Sequence, residues 1–198
     1  MKLCHAMTIV FALLAHAAVA AQGCQYDRTA LMALDQDAFD QDMAGGWRKL
    51  EYDGCEAEAA DLIRDWRVAH RAKDQVLVWH EGQLRANLGQ TAAAISLFRQ
   101  SYKPVKEDQG IGWNLYVDGT IAFLKEDRGA FDAAKAKLAA LPRPANFILE
   151  GPDGKPVPIR CPLNMNVFDR LKRCWGQPYK VAYACSTKMR HKTISDTK

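Results

Sequence analysis

The first half of the chain lacks proline altogether; none occurs before Pro104. Proline ends or kinks helices, so a long Ala- and Leu-rich stretch without it reads as helix after helix with short breaks. Serine is scarce: only four follow residue 20, and none sits in a strand–turn–helix nucleophile elbow, which removes the serine-hydrolase pattern. No Cys-x-x-Cys occurs, so neither a thioredoxin-type redox site nor a zinc ribbon is indicated. No stretch beyond residue 20 reaches 18 apolar residues, the length a membrane-spanning helix needs. No residue set reads as catalytic. No cofactor, metal or nucleic-acid partner is expected.

What is present bounds the rest. The 198 residues fit one domain or two small ones, and 48% hydrophobic content excludes wholesale disorder. Lys2, the apolar run from Ala6 to Ala15 and Ala18-Val19-Ala20 follow the order of a secretory signal peptide (1–20), cut after Ala20. The expected location is therefore periplasmic or secreted. Charge is uneven: residues 151–198 hold ten basic and three acidic side chains, so this segment suits contact with an anionic surface, or serves as a solvated tail.

Five cysteines follow the signal: Cys24, Cys55, Cys161, Cys174 and Cys185. Several cysteines in an exported chain are most simply disulfide-bonded. Five cysteines allow fifteen ways to form two bridges, and the pairs expected are Cys24–Cys55 and Cys174–Cys185, leaving Cys161 free. An alternative uses Ala21-Gln22-Gly23-Cys24 as a lipoprotein box, with Cys24 lipidated and four cysteines left. Against it, the cut after Ala20 is better formed.

The helical region has a rhythm. Asp53-Gly54, Leu88-Gly89 and Arg128-Gly129 each fall between two helical stretches, at spacings of 35 and 40 residues, the range of helical-hairpin repeats. The middle unit reads Trp79, Gly82, Gly89, Ala94, Phe98, Pro104. The third carries Gly119, Ala122, Gly129, Phe131, Ala134 and Leu138. The first has Gly54, Ala59 and Ile63, with Trp47 where a small residue belongs. These units resemble degenerate tetratricopeptide repeats, in which small residues let paired helices cross closely. The resemblance implies an all-α fold: a superhelical stack of about three hairpins over residues 21–141. It also implies a concave groove lined by the first helices: Arg48, Glu51 and Tyr52, then Trp79, Gln83 and Asn87, then Tyr116, Phe123 and Glu126. Aromatic, amide and charged groups there suit peptide capture, although Trp79 and Phe123 are also placed as core residues between stacked units would be.

Residues 142–188 differ. Six prolines fall between Pro142 and Pro162, and Gly151-Pro-Asp-Gly-Lys155 is a turn signal that would join a small hairpin of Phe147–Glu150 with Val157–Ile159. Helices are expected over Asn164–Trp175 and Tyr179–Cys185, pinned by the second disulfide and capping the last apolar face. Residues 189–198 read as a disordered tail.

Several motifs come close to known sites. Asp40-x-Asp42-x-Ala44-Gly45, with Glu51 twelfth, approaches a calcium loop, but Ala44 and Arg48 stand where oxygen ligands belong. His80-Glu81 begins a zinc-protease motif that fails at Leu84, and His70 with His80 has no third ligand at helical spacing. The expected function is a non-enzymatic module that binds another envelope or secreted protein or peptide in the groove. The rival is an inhibitor or immunity-type protein that plugs its target with the proline-rich loop Pro152 to Pro158.

Overall fold

In the computed structural model the described residues are 24–108, 111–142, 149–150, 155–157 and 161–186. The expected signal peptide, the tail 189–198 and most of the proline-rich segment lie outside them. The described residues are all-helical apart from one two-residue strand pair.

The order is α1 (Arg28–Met32), a π-turn (Asp37–Gln41), α2 (Gly46–Tyr52), α3 (Glu56–His70), α4 (Gln75–Asn87), α5 (Thr91–Gln100), α6 (Val105–Asp108), α7 (Trp113–Leu124) and α8 (Arg128–Ala139). Then come β1 (Leu149–Glu150), β2 (Pro156–Val157), α9 (Met165–Arg173) and α10 (Tyr179–Tyr183). Aspartates start several helices: the side chain of Asp74 accepts from the Val76 and Leu77 amides, and that of Asp127 from the Ala130 amide. The strands pair antiparallel, Leu149 with Val157 and Glu150 with Pro156, so the second strand starts one residue before the expected Val157–Ile159; the turn between them lies outside the described residues.

Helices α2–α3, α4–α5 and α7–α8 form three hairpins, and α3 packs on α4 and α5 on α7. Their turns are hydrogen-bonded alike. The Asp53, Leu88 and Lys125 amides donate four residues back, to Lys49, Leu84 and Ile121. The next amides, of Gly54, Gly89 and Glu126, donate three back, and those of Cys55, Gln90 and Asp127 five back, to Leu50, Arg85 and Ala122. This is a Schellman-type end, with the middle residue left-handed at φ of 83°, 72° and 57°. The third turn corrects the sequence register: its left-handed residue is Glu126, and Gly129 lies in the first turn of α8. Equivalent turn residues are therefore 35 and then 37 apart, which aligns Trp79 with Tyr116 and Gly82 with Gly119.

The close approaches follow that alignment. A Cβ on Gly82 would lie 2.7 Å from the Phe98 ring of α5, and one on Gly119 would lie 2.1 Å from the Phe168 ring of α9. The first helix of the third hairpin is thus notched for the C-terminal helix. Helix α9 packs on α7 and α8, held also by the ion pairs Lys135–Asp169 and Lys172–Asp132. Helix α10 turns back onto α4. There Tyr179 meets Phe98 and Phe123, and Lys180 pairs with Glu56 at 2.9 Å. The pair is therefore not an end cap alone; it lies across the first helices of the second and third hairpins. Its apolar residues Val167, Phe168, Leu171, Tyr179 and Ala182 are buried there.

Both expected disulfides are formed, Cys24–Cys55 and Cys174–Cys185, with Cα separations of 5.9 and 6.2 Å, and Cys161 is a free thiol. No helix among the described residues is long and apolar enough to cross a membrane.

Candidate functional site

A cavity of about 250 Å³ opens where α2, α4 and α10 meet. Helix periodicity supplies its walls. His80, Gln83, Leu84 and Asn87 repeat at three- and four-residue steps on one face of α4, and Trp47, Arg48 and Glu51 do so on α2. Tyr179 and Tyr183, one turn apart on α10, close the third side.

One end is held by a buried carboxylate. Asp40, on the π-turn, has no exposed surface. Its Oδ1 accepts from the Trp47 indole at 2.8 Å and from His80 Nδ1 at 2.7 Å, and its Oδ2 accepts from Gln41 Nε2 at 2.6 Å. Arg48 Nε donates to the Asp40 carbonyl at 2.9 Å, while its guanidinium lies 4.3 Å over the Trp47 ring. Burial by itself would raise the Asp40 carboxyl. The His80 hydrogen bond and charge, the indole and Arg48 outweigh it and hold the group below the ordinary carboxylate range. An ionised carboxylate only accepts, so the His80 Nδ1 that meets Asp40 carries a proton.

The other end is acidic. Asn87 Nδ2 and Lys180 Nζ both donate to Glu56, at 3.1 and 2.9 Å. Glu51 is half-buried, and its carboxyl is raised first by burial and then by the Glu56 charge; Arg48, His80 and Lys180 oppose this only in part. The buried Tyr179 hydroxyl lies beside the Gln83 amide without a hydrogen bond of ordinary geometry. Burial also raises the Tyr179 phenol.

Of the nine expected groove residues, Arg48, Glu51, Gln83 and Asn87 come together here. The rest need correction. Trp79, Tyr116 and Phe123 are only 3%, 3% and 5% exposed. They face no open groove: Tyr116 packs on Phe168 of α9, Phe123 on Tyr179 of α10 and on Trp175, and Trp79 on Phe98 of α5 and Tyr116 of α7. Tyr52 is 65% exposed on the far end of α2, and Glu126 is exposed in the α7–α8 turn. Trp47, His80, Leu84, Tyr179 and Tyr183 complete the site and are not among the expected groove residues. The His80-Gln83-Asn87 spacing was visible; the contact with Asp40, forty residues earlier, was not.

The near-miss motifs resolve locally. Asp40 of the calcium-like stretch is committed to Trp47 and His80, and Asp42 accepts from the Ala44 amide at 2.9 Å. His70 stacks on Trp66 and bonds to the Met32 carbonyl at 2.9 Å, so the two histidines serve different partners. Among the described residues, one grouping has metal-ligand spacing, Cys24, Cys55 and Glu58, but its two sulfurs are already joined to each other. A scan against protein-family models and searches of curated proteins and of solved structures found no match to this chain.

Proposed function

We propose that this protein is a non-enzymatic binding module of the cell envelope or of secretion, built on tetratricopeptide-like hairpins. It takes a peptide of another exported protein at the cavity formed by Arg48, Glu51, Gln83 and Asn87. The observation that carries this reading is their convergence. Four side chains suited to peptide contact, from two helices, line one small cavity, while Trp79, Tyr116 and Phe123 are buried in the chain's own packing. Three turns with one hydrogen-bond pattern support the repeat assignment. Two disulfides support an oxidising compartment.

The test is crosslinking capture with tagged protein in its native envelope, wild type against the Gln83→Ala, Asn87→Ala double variant. Capture of a specific protein that the double variant loses supports the reading. Equal capture by both overturns the cavity as the site. Loss on deletion of Pro152 to Pro158 would then favour the loop-inhibitor reading, whose loop is framed by the β1–β2 pair.

A further inference from the structure

The cavity contains one carboxylate that the protein leaves unanswered. Around it, every other charge has a partner. Arg48 and His80 both turn to Asp40, and Lys180 is paired with Glu56. Glu51 has no ion pair or side-chain hydrogen bond among the described residues, although it is half-buried and close to the Glu56 charge. A half-buried carboxylate without a partner is held ionised best by a cation beside it.

The surrounding groups suit one kind of cation. Asn87 spends its amide nitrogen on Glu56, which leaves Oδ1 as an acceptor. Tyr179 is 4% exposed and lines the cavity, and its buried hydroxyl lies beside Gln83 without a hydrogen bond of ordinary geometry. Gln83 adds a second amide beside it. A buried polar atom without a partner is costly, and a ligand donor in the cavity would relieve it. An ammonium group offers three donors and no acceptor, which matches an acceptor-rich site around one free carboxylate. The volume of about 250 Å³ admits a group the size of one residue.

We propose that the cavity binds a primary ammonium group, with Glu51 as its counter-ion and Asn87 Oδ1, Gln83 and the Tyr179 oxygen as its acceptors. This deepens the binding-module reading and rests on it for the source of the ammonium: the free amino terminus of a partner peptide. A small free amine carries the same chemistry, and the experiment separates the two.

The full chain is titrated with trialanine, N-acetyl-trialanine and propylamine, following the indole N–H signal of Trp47 by NMR. Saturable binding of trialanine but not of its acetylated form is expected, weakened about tenfold or more in Glu51→Gln. Asn87→Leu, which removes one acceptor and leaves Glu51 in place, is expected to weaken trialanine less. Glu51→Gln keeps the shape of the side chain and removes its charge, so its thermal midpoint at pH 7 should equal or exceed that of wild type. Equal binding of free and acetylated peptide overturns the proposal. So does binding of trialanine that Glu51→Gln leaves unchanged. If no amine binds but the Gln83→Ala, Asn87→Ala variant still loses its captured protein, the ammonium inference falls and the binding-module reading stands. If propylamine alone binds, the ammonium site stands and the peptide source falls.

Discussion

The molecule has two cores that are built on opposite chemistry. The N-terminal one gathers Phe39, Trp47, Leu50, Leu62, Ile63, Trp66, Leu77 and Leu84, and it is threaded by polar links between elements. Asp40 ties the π-turn to α2 and α4, Trp66 donates to the Leu34 carbonyl, and Arg67 of α3 pairs with buried Glu81 of α4 at 2.5 Å. The C-terminal core joins Trp79, Phe98, Tyr116, Phe123, Phe131, Phe168 and Tyr179 by ring contacts. Two of its buried hydroxyls, Ser101 and Thr120, bond back to their own helices. Helix α4 belongs to both, giving Leu77 and Leu84 to one and Trp79 and Ala86 to the other. The difference teaches where a ligand site can form. Rings fill the interior of the C-terminal half, whereas the polar seam around α2 and α4 borders the cavity.

The largest effects should come from breaking each core by its own logic. Phe168→Ala removes a fully buried ring that spans α7, α8 and α9, and should cost about 3–5 kcal/mol in denaturant unfolding. Asp40→Ala strands the Trp47 indole and the His80 and Arg48 side chains, and should cost about 3 kcal/mol or more. Hydrogen exchange locates the damage: Phe168→Ala should expose α7 to α9 first, and Asp40→Ala the segment from Asp37 to Glu56. Uniform loss of protection in both variants would mean that the cores are a single cooperative unit.

The disulfides sharpen the comparison at a smaller scale. Cys24–Cys55 closes a separation of 31 residues in the polar half, and Cys174–Cys185 one of 11 in the aromatic half. Loop-closure entropy makes the first worth about 1 kcal/mol more. Serine pairs at each site, compared by urea midpoint, test the ordering; a larger loss at Cys174–Cys185 would show that ring packing in the C-terminal half depends on its staple.

The gentlest perturbation is pH, and the halves should respond at opposite ends of the scale. Asp40 titrates below its ordinary value of 3.8 in the folded protein, so its contribution is present above that pH and lost as pH falls through the folded value. Tyr116 and Tyr179 titrate above their ordinary 10.0, chiefly through burial, so their contribution holds below pH 10 and is lost as pH rises beyond it. Near-ultraviolet circular dichroism with local hydrogen exchange should show acid loosening the N-terminal half and alkali the C-terminal half. Asp40→Asn should blunt the acid response only.

Much of the architecture was legible in local pattern. The all-helical class and the three hairpins follow from helical periodicity and glycine at the first two turns; the two expected disulfide pairs are formed, although cysteine position alone left fifteen arrangements open. The third turn was misread because sequence rewards a glycine, and Gly129 lay close by, while the structure uses Glu126 in the left-handed position. A favourable tertiary setting makes a non-glycine residue tolerable there, and no local signal marks it.

The site divides along the same line. The sequence by itself determined which side chains share a helix face: His80, Gln83 and Asn87 on α4, and Arg48 and Glu51 on α2, because 3.6 residues per turn is a property of the local backbone. Only the tertiary structure decided what those faces meet. The same periodicity that groups Trp79, Tyr116 and Phe123 with the groove also suits a buried seam. Their burial depended on rings from elsewhere in the chain: Phe98 and Tyr116 close over Trp79 from 19 and 37 residues away, and Phe168, Trp175 and Tyr179 close over Tyr116 and Phe123 from more than 50. Pairings at that range are set by the total apolar area and polar satisfaction of the whole fold, which no window of sequence contains.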